Sequence, residues 1–127
     1  MTSSSNTIDS RELACEIARI IDEKKGTDIV VLPVGDVVGI TEYFVVASAS
    51  NVRQVGAVTD AVLGDIRILA DRGPLRSEGT REKQWVLIDY GDVIVHIFVD
   101  EARRFYEIER LYKDIVPVSW SADSPSE

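Results

Sequence analysis

A single cysteine, Cys15, leaves this chain no internal disulfide to form, which suits a reducing compartment. Histidine is equally scarce, since His96 is the only one. One histidine and scattered carboxylates lack the ligand spacing of a zinc or EF-hand site. No apolar stretch approaches the roughly 20 residues of a membrane helix. The opening "MTSSSNT" lacks the charged-then-apolar pattern of a secretory signal. The expectation is a cytoplasmic protein with no membrane partner. Basic residues are also in short supply: 14 Lys and Arg stand against 22 Asp and Glu, a net charge of −8. Binders of bare phosphate backbone usually carry a basic stripe, so free nucleic acid is disfavoured as the main partner. The acidity suits a basic partner, or simply solubility. Also missing are H-E-x-x-H, C-x-x-C, G-x-S-x-G, the P-loop and G-x-G-x-x-G. No cofactor and no metal are therefore expected.

What is present is enough for one domain. Hydrophobic residues make up 45% of 127 residues, which supplies one real core. Polar, Ser-rich ends at 1–8 and 117–127 read as flexible tails around a domain at 9–116. A first helix is predicted from Asp9 or Ser10 to Lys25, with Asp9 and Glu12 as a capping pair and Gly26 as the stop. Its buried stripe is Leu13, Ile17, Ile20 and Ile21, and Cys15 points away from it as a surface thiol. Strands are predicted at 28–34 and 42–49, separated by a turn at 35–39. Pro33 cannot donate to a ladder, so it belongs at an edge or a strand end. Asn51 and Gln54 open a long helix with Val55, Val58, Val62, Ile66 and Leu69 inward, ended by Gly73–Pro74. Gly56 and Gly64 weaken that helix and are expected to permit close approach to the sheet.

A short strand near Arg76–Glu78 precedes two strands, "QWVLIDY" and "VIVHIFV", around Gly91–Asp92. A glycine first in a two-residue loop fits a type II′ hairpin turn. A last helix is predicted from Glu101 to Ile115, with Phe105, Ile108, Leu111, Tyr112 and Ile115 inward and Arg103–Glu107 paired on the wet side. The order α-β-β-α-(β)-β-β-α indicates a mixed sheet with packed helices, an α/β or α+β fold.

The turn fixes the hairpin register. Trp85 faces Phe98, Leu87 faces His96 and Asp89 faces Ile94. Side chains alternate across a strand. One face then carries Val86, Ile88, Tyr90, Val93, Val95 and Ile97, and should pack under helices. The other carries Trp85, Leu87, Asp89, Ile94, His96 and Phe98. As a catalytic face it offers Asp89 as orienter and His96 as general base, with no nucleophile among its six positions. The plainer reading of His96 is a strand histidine hydrogen-bonded to a neighbour. Trp85 is either core or an interface anchor. With Asp89, and with Glu78 and Asp92 nearby in the chain, it makes an aromatic centre with an acidic rim, a surface suited to a basic protein.

Three ordered stretches, "TEYFVVASASNVRQV", "EG" at 78–79 and "WVLIDYGDVIVHIFVDEARRFYEIERLY", closely resemble the ribosomal silencing factor family, also called Iojap, over roughly Leu13 to Tyr112. Tyr112 stands where the family often has tryptophan. The resemblance implies a nucleotidyltransferase-like fold with a mixed five-stranded sheet flanked by helices. It implies a non-enzymatic repressor that binds the large ribosomal subunit through large-subunit ribosomal protein fourteen. Occupying that site blocks joining of the small subunit when nutrients are scarce, and a role in large-subunit maturation is also implied. Some members form homodimers. The contact tryptophan corresponds to Trp85, and matching positions are Glu78, Asp89, Asp92, His96, Arg103, Tyr106 and Glu109.

Two rival readings remain at this point. A nucleotidyltransferase-like enzyme needs a Gly-Ser helix start and an Asp-x-Asp pair, and no two aspartates here are separated by one residue. A dimeric large-subunit assembly factor would use the hairpin face as a self-interface.

Overall fold

The computed structural model describes residues 8–121. The chain runs α1 (Ser10–Glu23), β1 (Thr27–Pro33), α2 (Gly35–Val38), β2 (Tyr43–Ala49), α3 (Val52–Ala70), β3 (Arg76–Glu78), β4 (Trp85–Asp89), β5 (Val93–Val99) and α4 (Asp100–Tyr106). A 3₁₀ turn over Ile108–Leu111 follows. The five strands form one sheet in the order β1-β2-β5-β4-β3. Only β2 and β5 run parallel; the other neighbours are antiparallel. The fold is thus the expected mixed five-stranded sheet flanked by helices. No helix among the described residues is long and apolar enough to cross a membrane.

Local chemistry explains the boundaries. The Asp9 carboxylate accepts from the Glu12 N–H at 2.8 Å and starts α1, while Asn51 accepts from the Gln54 N–H at 2.9 Å and starts α3. Each such cap satisfies a donor that helix geometry leaves free. Pro33 lies at the end of the edge strand β1, where no ladder bond is lost. The 35–39 segment, expected as a turn, closes into the single helical turn α2.

The core lies between the sheet and the long helices. Val31, Val45, Ala47, Val86, Ile88, Val93, Val95 and Ile97 share one sheet face and are fully buried. Leu13, Ile17 and Ile21 of α1 and Val55, Val58, Val62 and Ile66 of α3 are fully buried as well. Each large aliphatic side chain so removed from water contributes roughly 1.5–3 kcal/mol. The opposite face, with Phe44, Val46, Ile94, His96 and Phe98, is also buried, and Tyr106 and Tyr112 lie over its aromatic rings.

Several expectations are corrected. Leu69 is exposed and Ala70 is buried in its place, since the stripe advances four residues from Ile66 and α3 ends there. Gly56 faces the Lys83 stem, not the sheet, and Gly64 faces open space. The last helix stops at Tyr106, nine residues before the predicted end at Ile115, because Glu107 adopts a left-handed conformation. Phe105, still inside α4, is exposed because the helix buries Ala102 and Arg103 instead; past the break Leu111 is exposed and Ile108 is buried. Arg103 is buried and pairs with Glu109, not Glu107. It also donates to Asp28 O at 2.7 Å and Ser48 Oγ at 2.8 Å, tying α4 to the sheet.

The described part of the tail assigned to 117–127 packs along β1. The Val118 N–H donates to Val31 O at 2.8 Å, and the Trp120 indole donates to Ile29 O at 3.2 Å, along the outer edge of β1. Arg19 donates to Trp120 O at 2.7 Å. This strap lies over Cys15, whose Sγ contacts Ser119 O at 3.9 Å, so the thiol is buried and not at the surface. Residues 1–7 of the predicted N-terminal tail, and 122–127, lie outside the described residues.

Candidate functional site

The hairpin register is the predicted one: Trp85↔Phe98, Leu87↔His96 and Asp89↔Ile94. Gly91 sits at the turn with φ +96°, a conformation glycine adopts without strain. Gly79 is the second glycine that the backbone demands. Its φ is +77°, and a Cβ there would lie 2.0 Å from the Trp85 carbonyl oxygen. The "EG" pair therefore lets the chain pass tightly against the start of β4. Glu78, Gly79, Trp85 and Leu87 line a shallow cleft of about 260 Å³.

Trp85 is half-buried at this cleft. Its ring stacks on Phe98 with centroids 4.8 Å apart and meets Tyr106 at 5.0 Å. Tyr106 is exposed, and Phe105 stands against it at 5.0 Å, 78% exposed. Phe98 forms the fully buried floor. Trp85, Leu87, Tyr106 and Phe105 thus make an aromatic surface bordered by Glu78. Sequence periodicity placed Phe105 in the core, so its part in this surface was missed.

The other candidates separate from Trp85 in different ways. His96 lies beneath the surface at 5% exposure, with its Nδ1 accepting the Trp85 indole N–H at 3.1 Å. It makes no hydrogen bond to Asp89, so the orienter–base pair does not form. Burial pushes the His96 pKa down to about 4. Its imidazole is consequently neutral near pH 7. Asp89 instead accepts from the Gly91 N–H at 2.8 Å and from Arg76 Nε at 3.3 Å. Arg76 also pairs with Glu78. Two carboxylates of the expected acidic rim therefore share one internal cation. The β3–β4 pairing, which sets Arg76 opposite Asp89, is the signal that reveals this.

Asp92 stands at the hairpin tip, beyond the far end of β4 from Trp85. It accepts from Arg72 at 2.7 Å and from Ser10 Oγ at 2.7 Å. Burial alone raises the Asp92 carboxyl pKa, but hydrogen bonds from Arg72 and Ser10 and the Arg72 charge outweigh it and hold the pKa below its ordinary value. The structure therefore brings Glu78, Trp85 and Tyr106 together and places Asp92 elsewhere. A larger depression of about 630 Å³ opens beside Arg103, Arg104 and Arg110, away from the tryptophan. Among the described residues, no group of three or more His, Cys, Asp or Glu side chains is placed to hold a metal ion.

Fold and surface together define a small mixed α/β domain that presents an aromatic face. Comparison with known proteins gives the family. The family model described as "Ribosomal silencing factor during starvation" matches residues 7–126, and the chain belongs to that family. It is 32% identical over 100 residues to the ribosomal silencing factor RsfS of Bacillus subtilis, covering 76% of this chain and 81% of that one. It is 33% identical over 113 residues to the chloroplastic Iojap protein of Zea mays, covering 87% of this chain and 48% of that protein. The chain thus spans about half the length of the plant relatives it matches. A crystal structure of protein CV0518 from Chromobacterium violaceum superposes with a TM-score of 0.79 at 27% identity, covering 94% of this chain and 98% of that one.

Proposed function

We propose that this chain docks on the large ribosomal subunit through large-subunit ribosomal protein fourteen and, by occupying that place, blocks joining of the small subunit. Translation then falls under starvation. The observation that carries the reading is the Trp85 surface: a half-buried tryptophan seated on Phe98 and flanked by exposed Tyr106 and Phe105. Tryptophan and tyrosine held this way supply large contact area at little entropic cost and are enriched among residues that dominate interfaces. The net charge of −8 suits a basic ribosomal protein and opposes docking on bare RNA phosphate. Membership of the silencing family supplies the ribosomal context.

Occlusion requires no bond to form or break. Silencing depends on the concentration of the factor relative to its dissociation constant for the subunit. The protein acts in this reading as a cytoplasmic binding protein and not as an enzyme. Co-sedimentation of purified large subunits with wild type and with Trp85→Ala tests it. Trp85→Ala is expected to weaken binding by roughly 2 kcal/mol or more while the fold survives. Equal binding by the two proteins would overturn the assignment of this surface.

A further inference from the structure

We infer that His96 is a positioning residue for docking: its Nδ1 holds the Trp85 indole in the orientation the partner reads. The inference rests on the docking reading of the Trp85 surface. Three features on one sheet face carry it. The Trp85 Nε1–H donates to His96 Nδ1 at 3.1 Å. His96 is 5% exposed and is boxed in by Phe44, 4.7 Å away edge-on, and by Phe98 at 6.4 Å. The ring is therefore held on two sides and offers a partner almost no direct surface. The third feature is the other nitrogen. His96 Nε2 is buried and has no hydrogen-bond partner.

The two nitrogens are linked chemically. A neutral imidazole has one donor and one acceptor, so a ring that accepts at Nδ1 carries its proton at Nε2. That Nε2–H is a donor buried without an acceptor, an arrangement that costs stability. An apolar side chain in this aromatic box would carry no such unpaired donor. The histidine leaves the core an unpaired donor, and the acceptor it supplies to Trp85 is what it offers in return. Stacking on Phe98 and a tilted contact with Tyr106 are not directional, so alone they would fix the indole less sharply than a hydrogen bond does. A directional bond from below removes the remaining freedom before the partner arrives. Pre-organisation of this kind strengthens binding by lowering the ordering cost on association.

Two substitutions with opposite chemistry separate positioning from packing. His96→Phe keeps a ring and removes the acceptor. His96→Asn removes the ring and keeps an acceptor near the place of Nδ1. Both are made in the full chain and compared by thermal unfolding, by the proton NMR signal and solvent exchange of the Trp85 indole N–H, and by co-sedimentation with purified large subunits. For positioning, His96→Phe remains folded, although its larger ring strains the box. Its indole N–H shifts upfield and exchanges at least tenfold faster, and its affinity drops about tenfold. His96→Asn loses thermal stability yet holds the indole signal and the affinity closer to wild type than His96→Phe does. The reverse order, with Phe binding like wild type and Asn failing, makes His96 a packing residue only and overturns the inference. An unchanged indole signal in His96→Phe also overturns it, without any reference to the ribosome. Trp85→Ala serves as the control for the underlying reading: if it binds like wild type, the docking surface itself is wrong, whatever the His96 variants do.

Discussion

Arg72 and Asp92 meet at 2.7 Å across the gap between the end of α3 and the β4–β5 turn, and Ser10 at the start of α1 closes on the same carboxylate. Three elements distant in sequence are thereby tied at one pole of the domain. The Trp85 surface belongs to the other end of β4. Asp92 therefore has a structural occupation that a reading of acidic residues around a tryptophan does not reveal.

Asp92→Asn is expected to destabilise the protein by about 1 kcal/mol at pH 7, since the pair is partly exposed and screened. The carboxyl pKa is lower in the folded chain than its ordinary value of 3.8. Its contribution is therefore fully present well above that value and is lost as pH falls through the lower, folded one. Thermal unfolding of both proteins from pH 7 down to pH 3 should show the difference narrowing below about pH 4. Large-subunit binding at pH 7 should change little.

His96 titrates in a separate window. Its pKa falls from 6.5 to about 4 on burial, so between these values the unfolded chain holds a proton that the folded chain refuses. Stability must then decline as pH drops from 6.5 toward 4, by up to about 1.4 kcal/mol per pH unit. Urea unfolding across this range should show that slope in wild type and a shallower one in His96→Phe. Parallel slopes would mean that His96 is not buried as described.

Ending the chain at Val116 removes Val118 and Trp120, whose bonds run along β1, and the Ser119 carbonyl above Cys15. Burial raises the Cys15 pKa, against the partly opposing charges of Arg19 and Arg11. The thiolate is the reactive form, so the covered thiol should react slowly. A thiol reagent at pH 8 is expected to modify the shortened chain at least ten times faster than the full one, with the helical circular dichroism largely retained.

The fold was legible wherever one period ran unbroken. The caps at Asp9 and Asn51, the stripe of α1, that of α3 from Val55 to Ile66, and the hairpin register from Trp85 to Phe98 all follow from local patterns. Legibility failed where long-range contacts overrule the pattern. Glu107 turns left-handed and ends the helix, so the spacing that carried Leu111 inward no longer applies. Val118 and Trp120 sit in a polar, Ser-rich tail, and only their apolar character hinted at the strap over β1. Trp85 and Glu78 were proposed from pattern and resemblance, and they line one cleft. The Arg76 clamp on Asp89 and Glu78 needs the β3–β4 pairing before it can be seen.

The most direct test is subunit joining itself. Dissociated subunits are returned to associating magnesium while light scattering is followed, with large subunits first saturated by the protein. The account predicts that wild type suppresses the rise in scattering, that Trp85→Ala at the same concentration does so far less, and that added excess large subunits restore joining. A full rise at the normal rate, with wild-type protein shown to be bound to the large subunits, would contradict it.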